Sequence, residues 1–400
     1  MLDRIEFLKT LSSLHTQKQK YGIGIDQKMT SRLEKLGKGG YGSVYCSGGY
    51  AMKTFSYLPH MIQECTALHY VKNCTHLVKI IDFDIRSLSL RMELFDTDYL
   101  QWLRRHLKTT DKNTLVQNRK MIELILRDVL MGLVELHDRD LVHGDIKANN
   151  ILIKYDPPRA VIGDCGFVSI SKYAKVNRTA KNYKEEVISK SWTHDMYAYG
   201  LILIQSFCNF RIVTRHSYQE LRQIIDRYPL DKNIKVILKR TVSETKSERP
   251  TSRELLYMLF GITLPEYQPP EIPRFKQITN KKLLKSLAYT FDVECHKHTI
   301  NRSGIATKAL YSYMLENNIP LNNVKLYAAC MLVIISSHFG NTGSEDTEKR
   351  FTMLDVYSMC GDDHTPDTIN EVLSKLCTDT KLLNAIFRKS IDNVVKYDIM

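Results

Sequence analysis

Glycines crowd one short part of this chain and rule out a helix there. In RLEKLGKGGYGSVYCSGGYAMKTF, from Arg32 to Phe55, glycine clusters alternate with β-forming residues. The pattern reads as short strands joined by tight turns, because glycine weakens helices and accepts turn conformations. Within it, Leu36 to Val44 fits G-x-G-x-x-G-x-V. Gly37, Gly39 and Gly42 would let a hairpin backbone come close to phosphates and aim its N–H groups at them. A glycine-rich hairpin with no ligand is one alternative. A dinucleotide-binding fingerprint is another, but that requires a helix directly after the glycines. Here SVYCSGGYAMK continues as strand, turn, strand.

The rest of the chain is more helical. Residues 1–30 read as a helix and a glycine-containing turn. HMIQECTALHYV has helical spacing, with Ile62, Leu68 and Val71 near one stripe. From DYLQWLRRHL onward helix dominates, broken by LVHGDIKANNILI and AVIGDCGFVSI, which read as strand-loop-strand pieces. Leu264 to Phe275, LPEYQPPEIPRF, is the clearest linker. After it the pattern is helical again, and VKLYAACMLVII is apolar enough to be buried on most sides. The expected segments are therefore 1–30, 31–264, a linker at 265–279, and 280–400.

Composition bounds the function classes. The 400 residues allow two or three domains, and 43% hydrophobic residues supply sizeable cores. A net charge of +13 suits acidic protein substrates, nucleic acid or anionic surfaces, or simply a solvated basic surface. Nothing beyond that charge indicates nucleic acid. Nine cysteines without paired spacing point to free thiols in a reducing, intracellular compartment. Cys295, His296 and His298 could donate metal ligands, but no second cluster complements them. The start, MLDRIEFLKTLSSL, is charged and amphipathic, unlike a signal peptide. The longest apolar run, Leu326 to Ile335, is too short to span a bilayer, so no membrane partner is expected.

Chemistry concentrates in four places. Lys53, in AMK, follows the glycine hairpin on a strand, where it would point at the phosphates. Glu64, on the next helix, would hold it by an ion pair. HGDIKANN, His143 to Asn150, fits H-x-D-x-x-x-x-N, and DCG, Asp164 to Gly166, follows a short strand later. In this order the set closely resembles the eukaryotic-type protein kinase family. The likeness runs from about Ser31 to Leu264. It includes THDMYAYGLIL, where Asp195 would hold the loop backbone, and ERPTSRELL, similar to the ending of kinase domains.

The resemblance implies an α+β, bilobal protein-kinase fold, with a small β-rich N-lobe and a larger helical C-lobe. It implies ATP and Mg2+ as cofactors and proteins as substrates. Asp145 would accept the proton of the attacking hydroxyl, and Lys147 would stabilise charge on the γ-phosphoryl group. Asn150 and Asp164 would be oxygen ligands of magnesium. Gly37, Lys38, Gly39 and Gly42 would lie over the phosphates, and Lys53 would contact them. Val44 and Ala51 would cover the base. Met92 is similar to a gatekeeper, and Glu93 to Phe95 to the hinge whose backbone reads adenine. Thr179 matches the threonine that ties the activation segment to Asp145 and Lys147. Glu186 matches a buried glutamate whose partner would be Arg249. Lysine at 147 and threonine at 179 follow the serine/threonine pattern.

There are departures. The loop reads H-G-D, so the arginine that receives an activation-loop phosphate is missing. Cys165 replaces the phenylalanine of D-F-G, removing an aromatic packing element. Lys184 and Glu185 stand where A-P-E has alanine and proline. These losses keep a pseudokinase scaffold in play as the alternative to an enzyme. Lys172, Lys175, Arg178, Lys181, Lys184 and Lys190 make the activation segment basic, which suits acidic substrates or a solvated surface.

From about 280 to 390 the chain resembles a cyclin box, in SGIATKALYSYMLENN, NNVKLYAACMLVIISSHFG and FTMLDVYSMCGDDHTPDTINEVLSKL. An unrelated helical module is the alternative. Ser336 to Gly340 lacks the lysine and glutamates through which that family touches its kinase. The resemblance implies an all-α domain touching the kinase N-lobe in cis, pressing on the Glu64 helix, stabilising the Lys53–Glu64 pair and so activating the kinase. The combination resembles kinases of large DNA viruses, which would place it in host cytoplasm, nucleus or virion.

Overall fold

The computed structural model describes residues 33–38, 42–85, 87–106, 112–170, 191–208, 216–269, 281–298, 304–339, 356, 359–360 and 364–389. The expected N-terminal helix, Gly39, Thr179, Glu186 and the basic activation segment lie outside these residues. So does most of the linker. The chain divides into two compact units. Of the described residues, one contains those up to Tyr70, Lys79–Leu94 and those after Ile272; the other contains Val71–Val78 and those between Phe95 and Glu271.

The first unit is built on a five-stranded antiparallel sheet. Its strands are β1 (Glu34–Lys38), β2 (Gly42–Ser47), β3 (Tyr50–Phe55), β4 (Ile80–Asp84) and β5 (Ser89–Glu93), in the order β1-β2-β3-β5-β4. The glycine-rich stretch thus forms the predicted hairpins, with Gly48 and Gly49 at the β2–β3 turn. Gly42 pairs with Phe55, and a Cβ there would sit 1.7 Å from the Thr54 carbonyl oxygen. Glycine at 42 is needed for strand contact whatever it does for a ligand.

Helix α1 (Leu58–Tyr70) packs on β3, β4 and β5. Its buried residues include Met61, Ile62, Glu64, Cys65, Thr66, Ala67 and Leu68, more than one stripe can hold. The reason lies at the other end of the chain. Helices α8 (Lys281–His298), α9 (Gly304–Glu316), α10 (Val324–Phe339), α11 (Pro366–Thr378) and α12 (Thr380–Lys389) form an all-helical group. Of these, α10, α11 and α12 pack directly on α1. Helix α1 is therefore covered from two sides, and a helix buried all round carries apolar residues all round. Helix α10 is the centre of the group, touching α8, α9 and α11 as well, and Val324 and Leu326 to Ile335 are buried. The described C-terminal helices share one compact unit with the sheet.

The second unit is mostly helical, as the sequence predicts. Its helices are α2 (Tyr99–His106), α3 (Lys112–His137), α4 (Trp192–Phe207), α5 (Tyr218–Arg227), α6 (Lys232–Thr241) and α7 (Ser252–Phe260). Short strands β6 (Thr97–Asp98), β8 (Ile151–Tyr155) and β9 (Pro158–Ile162) form one sheet, and β7 (Leu141–Val142) pairs with β10 (Ser169–Ile170). Helix α3 packs on β9, α4 and α7. Among the described residues, Ser217 and Thr251 open helices with capping boxes that satisfy backbone N–H groups the helix cannot, and at Ser191 the His194 ring accepts the Ser191 N–H at 2.9 Å. A β-rich unit and a helical unit fit the bilobal kinase fold.

Candidate functional site

The first set of groups lies on the sheet. Directly opposed residues of antiparallel strands project to the same side. Val44 opposes Lys53, Met92 opposes Ala51, and Leu90 opposes Lys53. The four residues expected around the base and phosphates, Val44, Ala51, Lys53 and Met92, therefore share one face. Lys53 Nζ lies 2.6 Å from Glu64 Oε2, with side-chain exposures of 11% and 1%. The predicted pair forms, and it is nearly dry. The Phe55 ring centroid lies 5.3 Å from the same ammonium. Next to Glu64, burial pushes the Cys65 thiol well above its usual range, and nearby Cys377 and Glu64 add to this against the pull of Lys53. Cys65 is thus an inert thiol wedged into the packing.

Gly37 has open space where a Cβ would point, so its backbone can be approached closely. Lys38 ends β1 and is exposed. The Glu93 N–H is donated to the Lys79 carbonyl at 3.0 Å. Base-reading donors from the Glu93–Phe95 stretch would thus come from beyond Glu93.

The second set lies in the helical unit, around the loop after β7. Asp195, buried near the start of α4, accepts the N–H groups of His143 at 2.7 Å and Gly144 at 2.8 Å. His137 Nε2 lies 3.2 Å from the same carboxylate, and its Nδ1 lies 3.1 Å from Ser252 Oγ. Burial works to raise the Asp195 pKa. The hydrogen bond and charge of His137, with help from His143 and the Gly144 N–H, outweigh it and hold the carboxyl below its ordinary value. Gly144 has φ of +76°, which explains why glycine suits the middle of H-G-D. His143 Nδ1 accepts the Asp145 N–H at 3.3 Å, so the ring proton sits on Nε2 and is donated to the Gly163 carbonyl at 3.0 Å.

This frame presents Asp145, Lys147 and Asn150. Lys147 Nζ lies 2.6 Å from Asp145 Oδ2, and Asn150 Nδ2 donates to the same oxygen at 3.0 Å and to the Asp145 carbonyl at 2.8 Å. With its nitrogen so engaged, Asn150 has its side-chain oxygen left as acceptor. The Gly163 N–H bonds the Asn150 carbonyl at 2.7 Å, which brings Asp164 beside Asn150. Asp164 has φ 55° and ψ 61°, a left-handed backbone that costs a non-glycine residue energy and often marks functional sites. An amide oxygen and a carboxylate fit Mg2+, which takes few protein oxygens and fills its shell with phosphate and water.

Some anchors were not visible beforehand. His137 reaches Asp195 across 58 positions. Glu135 on α3 accepts the N–H groups of Thr75 and His76 at 2.9 and 3.0 Å, pinning the segment after α1 to the helical unit. No motif flags either residue. Arg249 is buried, donating to the carbonyls of Ser243 and Thr193 and lying over the Tyr197 ring. Its expected partner Glu186 is outside the described residues.

Comparison with known proteins identifies a family. The family model described as "Protein kinase domain" matches residues 30–261. The chain is 25% identical over 254 residues to the "Membrane-associated tyrosine- and threonine-specific cdc2-inhibitory kinase" of Drosophila melanogaster, covering 56% of this chain and 46% of that protein. It is 24% identical over 263 residues to the "Interferon-induced, double-stranded RNA-activated protein kinase" of Mus musculus, covering 57% and 50%. It is 29% identical over 150 residues to "Cell division control protein 2 homolog 2" of Trypanosoma brucei brucei, covering 34% and 41%. The chain spans about half, or less, of the length of these curated relatives. No helix among the described residues is long and apolar enough to cross a membrane.

Proposed function

This chain belongs to the protein kinase family, and from that premise we propose that it phosphorylates serine and threonine residues of proteins. The observation that carries the reading is the buried Asp145 carboxylate, bonded to Lys147 and Asn150 on a loop held by Asp195. Asp145 takes the proton of the substrate hydroxyl. The freed oxygen bonds to the γ-phosphorus of ATP while the bond from that phosphorus to the bridging oxygen breaks, and ADP leaves. Lys147 offsets the charge that builds on the transferred group. Lys53, fixed by Glu64, orients the α- and β-phosphates. Asn150 and Asp164 would hold Mg2+, which neutralises phosphate charge when bound. Lysine at 147 and threonine at 179 support serine and threonine over tyrosine.

The test is incubation with labelled ATP, magnesium and an acidic protein such as casein. The intact chain should transfer phosphate, and Asp145→Asn should transfer at least about 1000-fold less. Equal signal from both, or none from the intact chain, would overturn the enzyme in favour of a pseudokinase scaffold, the reading that Cys165 and the altered A-P-E favour.

The regulatory part of the proposal is activation in cis. The C-terminal helices, which resemble a cyclin box, pack on α1, which also packs on the sheet, and so would hold Glu64 toward Lys53. A tethered domain acts at high effective concentration, so a modest interface suffices. Deleting residues 276 to 400 should lower kcat/KM about tenfold or more. An undiminished rate would sink this part alone. The free thiols of the described cysteines support a reducing, intracellular setting.

A further inference from the structure

Helices α5 and α6 of the helical unit carry a charge pattern that the reaction does not use. On α6, Lys232, Lys235, Val236 and Lys239 recur at i, i+3, i+4 and i+7, the spacing of one helix face. Val236 is 49% exposed in the middle of these cations. Lys235 donates to the Asp226 carbonyl at 2.8 Å and Lys239 to the Asp226 carboxylate at 2.6 Å, so the stripe is fixed against the end of α5. The Lys239 hydrogen bond, with added attraction from Lys235, holds the Asp226 carboxyl below the usual range.

The acids on the two helices and in the turn between them each have a local role. Asp226 is bound to Lys239. Glu220 accepts from Ser217 N in a capping box, and Asp231 caps α6 through Asn233 N. Arg227, Lys232 and Arg240, by contrast, are exposed. Among the described residues these three make no side-chain hydrogen bond or ion pair. A face on which cations outnumber acids and one aliphatic residue is exposed is complementary to a segment of opposite charge that carries an apolar side chain.

We propose that this α5–α6 face docks an acidic, leucine-bearing segment of the protein substrate, outside the catalytic groups. The proposal rests on the kinase reading and names its substrate class. Docking raises the local concentration of the phosphoacceptor, so it lowers KM without changing kcat.

Two measurements test it with the full chain. A fluorescein-labelled peptide of twelve residues, glutamates around one leucine, is titrated and followed by anisotropy. Separately, phosphorylation is measured on casein and on a short neutral serine peptide. The triple variant Arg227→Glu, Lys232→Glu, Arg240→Glu should bind the labelled peptide at least about tenfold more weakly. Its KM for casein should rise by about the same factor, with the neutral peptide unaffected. Intact-chain binding should weaken with added salt. Val236→Ser, which keeps the charge, should weaken binding of the leucine peptide more than of an all-glutamate control.

Equal binding by the intact chain and the triple variant would overturn the docking face. So would a KM for casein that the substitutions leave unchanged. A KM that rises equally on both substrates would also overturn it, placing the effect in the active site or the fold. Tighter binding of a labelled single-stranded RNA than of the acidic peptide, abolished in the triple variant, would replace the protein partner with nucleic acid. Failure of the kinase reading is seen separately, as absence of transfer to either substrate.

Discussion

The two lysine–carboxylate pairs have the same length and opposite surroundings. Lys53–Glu64 and Lys147–Asp145 both measure 2.6 Å. In the first, the lysine and glutamate side chains are 11% and 1% exposed; in the second, the lysine is 36% exposed and the aspartate 7%. The difference follows from position. Glu64 lies on a helix packed between a sheet and three other helices, while Lys147 stands on a loop. A dry pair is hard to break, because either charge left alone is buried without compensation. A pair with a wet end can trade partners at little cost, as the role proposed for Lys147 requires. One pair is shut away from water and the other has its lysine at the water's edge.

The sharpest way to break this contrast is Glu64→Ala. Stranding Lys53 should cost about 3–5 kcal/mol of folding stability, read as a fall in the urea midpoint. A loss below about 1 kcal/mol would mean that the pair is wet after all.

Asp195→Asn probes the frame that carries the second pair. The amide would keep one acceptor but lose the charge facing His137 and two backbone N–H groups, at a cost of about 1–3 kcal/mol at neutral pH. The sign with pH follows from the depressed folded pKa of Asp195. Its contribution is present above the unfolded value of about 3.9 and is lost as pH falls through the folded value. The stability gap between intact chain and variant should therefore be constant near neutrality and narrow below about pH 4. A gap that widens in acid would contradict the assignment.

The smallest effect on stability is expected at Lys147→Ala. Its partly exposed pair should contribute less than about 1 kcal/mol. The rate of phosphoryl transfer should nevertheless fall about 100-fold or more. A variant that unfolds instead would erase the distinction between the two pairs.

Much of the site was readable beforehand because its chemistry is local. Asp145, Lys147 and Asn150 interact within five positions of one another, so H-x-D-x-x-x-x-N nearly spells out the contacts. Val44, Ala51 and Lys53 share a face because a short hairpin leaves few registers. His137, Ser252 and Glu135 gave no signal, since each acts on a residue more than fifty positions away. Gly42 was read as making room for phosphate, and the structure adds a demand from Thr54 that no motif contains.

By itself, the sequence determined the strand-turn-strand start, the order of the candidate catalytic groups, and the alternation of helix with short strand that follows. These depend on residue type and spacing over a few positions. The cyclin-box resemblance implied that the C-terminal domain presses on the Glu64 helix, and the tertiary structure decided which helices do so. Periodicity shows that VKLYAACMLVII must be buried, but apolar attraction has no direction and names no partner. Only the folded chain shows that the helices closing over the one that carries Glu64 are those from beyond residue 320.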